Sequence, residues 1–250
     1  MMDYRIRGAQ LATKSLNMTT TALERRVGER VDPSASPRPG RIALEGKTVK
    51  LVPLDAHEHL DYLWKTTGGP ENEHLWTYMF EAPFQNRWSF EAYLQRKQES
   101  DDPLFYTIID KASGLAVGWA AYMRMDPLNR VLEVGSIMFS PQFQRTYGAT
   151  EAMYLMAEYA LDHLHYRRYE WKCDALNEPS RRAALRLGFK FEGVFRQHMV
   201  VKGRNRDTAW YSIIDTEWPA RKRAFEQWLD PANFDAKGNQ RESLSSLNAV

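Results

Sequence analysis

One segment, Val131 to Leu164, constrains this chain more than any other. It begins with the β-favouring run VLEVGSIMF, passes through a short polar loop, and ends in a helical repeat from about Gly148 to His163. In that repeat Ala152, Leu155, Met156, Tyr159 and Ala160 recur at intervals of three and four, which makes one apolar face. A strand, a tight loop and a helix leave first-turn amide groups aimed at the loop, a geometry that can hold a phosphate. The loop offers Gln144, Arg145, Thr146 and Tyr147, then Gly148, Ala149 and Thr150. The small residues at 148 and 149 would let an anion approach the backbone. An ordinary strand–helix connection with a solvated Arg145 reads the same way, so the pattern alone leaves both open.

The elements around it alternate in kind. Thr48 to Leu54 reads as a strand, Asp55 as an N-cap, and Ala56 to Lys65 as a helix. The stretch from Thr66 to Asn86 is long for a connection, and long connections often carry function. Trp88 to Glu99 reads as a helix. The runs Phe105–Asp110, Leu115–Met125 and Val131–Phe139 then form an antiparallel meander. Arg168–Asp174 is a further strand, and a helix from Asn177 or Glu178 stops at Gly188. Phe189–Val201, interrupted near Arg196 to His198, and Thr208–Ile214 make a terminal hairpin, followed by a helix over Thr216–Trp228. Residues 1–40, with a short helix near Thr20 to Glu29, read as an extension ending in a Pro- and Ser-rich linker; residues 41–229 read as the domain and 230–250 as a loose tail.

Composition narrows the partners. With 250 residues, 43% of them hydrophobic, the chain can bury a substantial core. A formal charge of +2 gives no polyanion-binding face, so no nucleic-acid partner is expected. No apolar run is long enough to span a membrane. The single cysteine, Cys173, allows neither an intrachain disulfide nor a thiolate cluster, no metal site is expected, and a reducing location fits. Basic residues near the start suit a targeting presequence, but Asp3, Glu24, Glu29 and Asp32 argue against one. Trp218, Phe225, Trp228 and Phe234 form an apolar stripe that either docks on its own domain or makes a dimer, so monomer and homodimer both stay open.

Three segments in this order resemble the GCN5-related N-acetyltransferases, and more narrowly the branch of bacterial ribosomal-protein N-terminal acetyltransferases. They are EVGSIMFSP with QRTYGATEA, RYEWKCDALNEPS closing on LGFKFEG, and VVKGRNRDTAWYS. The resemblance implies an α+β fold with a mixed, mainly antiparallel twisted sheet, split between two central strands and flanked by helices. It implies acetyl-CoA as cofactor, a cytoplasmic enzyme, and a primary amine as acceptor, on a small molecule or a peptide N-terminus. A non-catalytic acyl-CoA-binding protein on the same fold is the alternative. The family's diphosphate loop runs Gln/Arg-x-x-Gly-x-Gly/Ala; here Gln144 takes the first place and Ala149 the last, but Tyr147 stands where the first glycine belongs. That ring crowds the diphosphate, redirects the backbone, or covers the cofactor.

The same resemblance assigns roles. Ile137, Met138 and Phe139 would pair with the pantetheine arm, and Asn177 would hold it by hydrogen bonds. Many relatives protonate the leaving sulfur with a tyrosine at the place of Ala184; here the serine of the ribosomal branch, Ser180, would take that part. Amine attack needs a proton acceptor, and Glu133, on the strand lining the split, is the first candidate, with Asp126, Glu73, His74 and His198 behind it. A salt-bridged Glu133 and a helix-capping Asn177 or Ser180 fit the same residues. For the acceptor, His74, Trp76, Tyr78, Phe80, Trp119, Tyr122, His198 and Trp210 are candidate walls, most of them equally suited to core packing.

Overall fold

The computed structural model describes residues 27–81 and 83–249. The chain divides between Pro33 and Ser34. Residues 27–33 carry no regular structure, and the helix expected near Thr20 to Glu29 lies mostly outside the described residues. The folded unit starts earlier than the expected residue 41. Ser36 is buried, and its amide and hydroxyl donate to Pro127 O and His165 O, each at 3.0 Å. Tyr159 Oη accepts from the amide of Gly40 at 3.2 Å. Linker composition at 34–40 is overridden by these backbone anchors.

From there the elements are β1 (Leu44–Glu45), β2 (Val49–Pro53), α1 (Ala56–Thr67), a 3-10 turn (Pro70–Trp76), α2 (Arg87–Glu99), β3 (Leu104–Asp110), β4 (Ala116–Asp126) and β5 (Val131–Phe139). Then come α3 (Tyr147–Glu158), extended by a π turn (Tyr159–His163), β6 (Arg168–Asp174), α4 (Glu178–Arg186), β7 (Lys190–Val201), β8 (Arg204–Ile214), α5 (Trp218–Trp228) and α6 (Leu244–Leu247). The eight strands form one sheet in the order β1-β2-β3-β4-β5-β6-β8-β7. Every pairing is antiparallel except β5 with β6. A parallel pair needs a crossover, and α3 supplies it. No helix among the described residues is long and apolar enough to cross a membrane.

Both faces of the sheet are covered over β3, β4 and β5, whereas β7 is largely exposed. Tyr106, Tyr122 and Val134 pack with α3 and α5 on one face, while Phe105, Trp119 and Met138 pack with α1, α2 and Trp76 on the other. This explains the continuous burial along β3 and most of β4. The start of α3 is clamped to the β1–β2 turn by Glu151, whose carboxylate accepts from the amides of Lys47, Thr48 and Val49 at 2.7, 2.8 and 3.1 Å. Gly148 permits that contact, because a Cβ there would come within 2.9 Å of Val49 and Phe143 side-chain atoms. The glycine therefore serves helix–sheet packing.

The split is visible in the register. β5 and β6 pair only over Val131–Glu133 and Arg168–Glu170. Beyond that point β5 keeps its bonds to β4 but bulges: Trp119 faces Met138 and Ala121 faces Gly135, so Ser136 and Ile137 together oppose Ala120. Ser136 sits at φ 50°. A bulge bends its strand and increases the twist, and β5 turns away from β6.

The loose tail expected after Asp230 is also corrected. Asp230 caps a 3-10 turn (Pro231–Asn233), Phe234 bridges to Gln240, and α6 buries Leu244 completely. Asn248 Nδ2 donates to Arg186 O at 3.0 Å, and Arg221 donates to Asn248 O. Trp218, Phe225 and Trp228 are buried in the chain's own core. A few large side chains hold a segment whose average composition reads as unstructured.

Candidate active site

The split opens into a cavity of about 1290 Å³, which reaches from the first turn of α3 to the 3-10 turn. That exceeds the roughly 300–1,000 Å³ of common small-ligand pockets. It is large enough for an extended ligand.

At one end stand Gln144, Arg145, Thr146, Ala149 and Thr150 with Arg182 and Arg186. Thr146 caps α3 by accepting from Ala149 N at 3.1 Å, and Arg145 adopts φ 63°. The first helical turn leaves the amides of Tyr147 and Gly148 without helical acceptors. Arg186 donates to Thr150 Oγ1 at 3.0 Å and lies 4.9 Å over the Trp228 ring. Arg145 makes no ion pair among the described residues. Free amides and three guanidinium groups are a donor set for a polyanion. The Tyr147 ring is held in place by its neighbours. The ring stacks on Trp228 with centroids 5.7 Å apart and meets Phe234 edge-on, and its hydroxyl donates to Leu229 O. With Trp228 and Phe234 it forms part of the cavity wall.

The middle of the cavity runs between the parted strands. Ile137 and Phe139 line it from β5, while Trp171 and Cys173 line it from β6. Beyond Glu133 the β6-facing edge of β5 has no strand partner, so its backbone groups are available to an amide-bearing chain. Met138 points the other way, into the core with Trp76 and Trp119, so only its backbone could serve. Asn177 Oδ1 caps α4 by accepting from Ser180 N at 3.2 Å. Its Nδ2 has no partner among the described residues and remains a donor toward the cavity. Trp171 Nε1 donates to Ser180 Oγ at 2.9 Å. An indole nitrogen only donates, so the serine must accept there, and its own proton is left to be given, with the Cys173 thiol within its reach.

Glu133 occupies the closed end, only 3% exposed. Arg124 Nη1 and Lys172 Nζ both hold its Oε2, at 2.6 and 3.2 Å. Oε1 faces Gly135, where a Cβ would crowd it at 3.0 Å. One oxygen is thus anchored and the other is free to take a proton. Burial pushes the carboxyl pKa above its ordinary value, against the opposing pull of Lys172 and Arg124. Lys172 is itself buried, paired to Glu170 at 2.6 Å and lying 3.8 Å from the Trp210 ring centre. Arg206 on β8 is the remaining cation whose charge bears on Glu133.

Removing Lys172 takes away the largest influence that lowers the Glu133 pKa. A K172M variant should therefore shift the acid limb of its pH–rate profile to higher pH, with the loss of rate concentrated between the old and the new midpoint. An unmoved limb in K172M would mean that some other group's ionisation limits the rate.

The expected acceptor walls divide. His74, Tyr78 and Phe80 line the cavity, and Tyr78 Oη donates to Leu176 O at 3.0 Å. Trp76, Trp119 and Tyr122 do not reach it. All three are fully buried; Trp76 Nε1 donates to Thr67 O and Tyr122 Oη to Met156 O, each at 2.6 Å. His198 is a correction of the same kind: its Nδ1 lies 2.9 Å from Thr208 Oγ1, and its ring packs on Phe195 and Trp210 rather than on the cavity. Trp210 acts through its face on Lys172. Among the lesser base candidates, Asp126 is engaged by the amide and side chain of Asn129, and neither it nor Glu73 lines the cavity. The residues that sequence reasoning missed are Arg124, Lys172, Arg206, Arg182 and Arg186. The alternation of Arg168, Glu170, Lys172 and Asp174 along one face of β6 was a visible signal for Lys172.

Comparison with known proteins gives the same picture. Residues 49–190 match the family model described as Acetyltransferase (GNAT) domain. The crystal structure of a GCN5-related N-acetyltransferase from Brucella melitensis is 50% identical, with a TM-score of 0.84, covering 87% of this chain and 98% of that one. A provisionally assigned GNAT-family acetyltransferase from Chromobacterium violaceum is 36% identical, with a TM-score of 0.70, over 77% of this chain and 100% of that one. YdaF of Bacillus subtilis, provisionally named a ribosomal N-acetyltransferase, is 29% identical over 109 residues, which is 44% of this chain and 59% of YdaF.

Proposed function

Because the chain belongs to the GNAT acetyltransferase family, we propose that it moves the acetyl group of acetyl-CoA to a primary amine, on a small molecule or a peptide N-terminus, by direct attack. The observation that carries this reading is the split sheet itself. An arginine-lined helix start lies at one end of the opening and a buried carboxylate with one free oxygen at the other. Bound acetyl-CoA would supply an activated thioester carbonyl. Arg145, Arg182 and Arg186 would neutralise its phosphates, with the amides at the start of α3 on the diphosphate. The unpaired edge of β5 and Asn177 Nδ2 would align its amide-bearing arm.

The protein's own groups then handle two protons. Glu133 Oε1 accepts one from the incoming amine, which must be neutral to attack. Its raised pKa lets it hold that proton at moderate pH, and the anchored Oε2 keeps the carboxylate aimed. Ser180 Oγ, oriented by Trp171, presents a proton near the place where the thiolate departs. No covalent intermediate on the protein is needed. Walls from Phe139, Trp171 and Phe80 keep bulk water from the reacting atoms.

Calorimetry with acetyl-CoA, followed by thiol release on a panel of amines, tests the reading. Binding followed by amine-dependent release of thiol is expected. Binding without release on a broad panel would leave only a carrier or regulatory role, and failure to bind any acyl-CoA would defeat the assignment.

A further inference from the structure

Among the described residues, Arg206 is a buried cation of the cavity that forms no ion pair. It lies on β8 opposite Met199 of β7, and only 8% of it is exposed. It lines the cavity, with its guanidinium carbon 4.9 Å from the centre of the Phe80 ring. Its buried Nε has no hydrogen-bond partner, and no carboxylate among the described residues forms an ion pair with it. The neighbouring cations are all satisfied. Arg124 and Lys172 share Glu133, Lys172 also holds Glu170, and Arg168 spans Glu170 and Glu192. Asp174 and Glu133 act on Arg206 only through space.

Burying a charge without a partner is costly. A folded protein that keeps one inside a ligand cavity is poised for a counter-charge that arrives with the ligand. The guanidinium fork suits a carboxylate, which it binds through two parallel hydrogen bonds, and the Phe80 face supports the fork from behind. The phosphates of a coenzyme have their own cations at the opposite end. Arg206 instead lies close enough to Glu133 for the two charges to interact, and Glu133 is where the acceptor amine would lose its proton.

We infer that Arg206 captures a carboxylate of the acceptor, so that the substrate is a small amino acid-like amine with its carboxylate a few bonds from the amino group. This rests on the acetyl-transfer reading, which puts the amine beside Glu133. A peptide N-terminus would bring a neutral amide to the same spot and leave the guanidinium unpaired. The acceptor is therefore a free amino acid or a close analogue, not the end of a protein chain.

The test pairs free amino acids, β-alanine included, with their carboxamides and with short N-terminal peptide amides. Thiol release is measured for the wild type, R206Q and R206K. In the wild type the favoured acid should exceed its amide by about 10- to 100-fold in kcat/KM, the range for hydrogen bonds to charged groups. R206Q should close that gap through KM for the acid, and R206K, which keeps charge without the fork, should fall between. Thermal shift gives a readout that needs no transfer: the favoured acid should stabilise the wild type and not R206Q. Unliganded R206Q should melt no lower than the wild type, because an unpaired buried charge has been removed. Acid and amide used equally by the wild type would overturn the inference, and so would a preference for the peptide amides. An equal fall of kcat for acid and amide in R206Q would overturn it too, by assigning Arg206 to the acetyl carbonyl instead. Absence of thiol release with every amine would defeat the transferase reading, while acid-specific stabilisation lost in R206Q would still uphold the carboxylate site.

Discussion

Replacing Glu133 by glutamine (E133Q) is expected to cut kcat by about 10²- to 10⁴-fold, the usual contribution of a positioned general base, with coenzyme A affinity unchanged. The isostere keeps the shape of the side chain and can still accept a hydrogen bond from Arg124. Lys172 retains Glu170 at 2.6 Å, and the Arg124 side chain, 42% exposed, can rest its charge against solvent. The surroundings of the closed end therefore survive, and what is lost is the free oxygen that takes the proton. Stopped-flow thiol release with a saturating amine, alongside calorimetry, separates the two quantities. Near wild-type turnover at neutral pH would remove Glu133 from the proton-accepting role, and a matching loss of coenzyme affinity would assign it to the architecture of the cavity.

The second large effect is expected at Trp228. This ring stacks on Tyr147, meets Phe234 edge-on at 5.2 Å, supports Arg186, and donates from Nε1 to Gln240 Oε1 at 2.7 Å. Truncation of a buried aromatic to alanine costs about 3–5 kcal/mol. For a chain of this size that corresponds to a fall in Tm of roughly 10 °C. W228A should also weaken coenzyme A binding, because Arg186 loses the surface that holds it over the anion end and Tyr147 loses its stacking partner at the start of α3. A Tm within about 2 °C of wild type, below what such a cavity allows, would show that the C-terminal segment only decorates the domain.

The sequence carried the strand–loop–helix unit because it rests on local signals, whereas the split was implied only by the family resemblance. Val131–Phe139 is a β-favouring run, and the helix after it has a clear apolar face. The acceptor walls were less legible for a physical reason. Alternation along a strand separates two faces, but on β4 both faces are covered, so Trp119 and Tyr122 lie on opposite sides of the sheet and are equally dry. Nothing in a one-dimensional pattern distinguishes such a strand from one that borders a cleft. The tail failed differently. Pro, Gly, Asn and Ser dominate its composition, yet Phe234 and Asn248 find partners far away in the chain and Leu244 is fully buried in the core. The partners of Glu133 were hidden as well: Arg124 comes from β4 and Lys172 from β6, and only the closed register of β5 with β6 brings them to one oxygen.

That short register has a mechanical meaning. Three paired positions make up the whole strand pairing between β1–β5 and β6, β8 and β7, so the two halves of the sheet meet at a narrow seam. A guest lying along the bare margin of β5 would act as a surrogate strand and lengthen the seam. Ligand affinity and rigidity of the whole sheet are then one thermodynamic quantity seen from two sides. The amides of Val134 to Phe139 on the open margin become the natural gauge of occupancy, since they exchange with solvent when the gap is wet and stop when it is bridged.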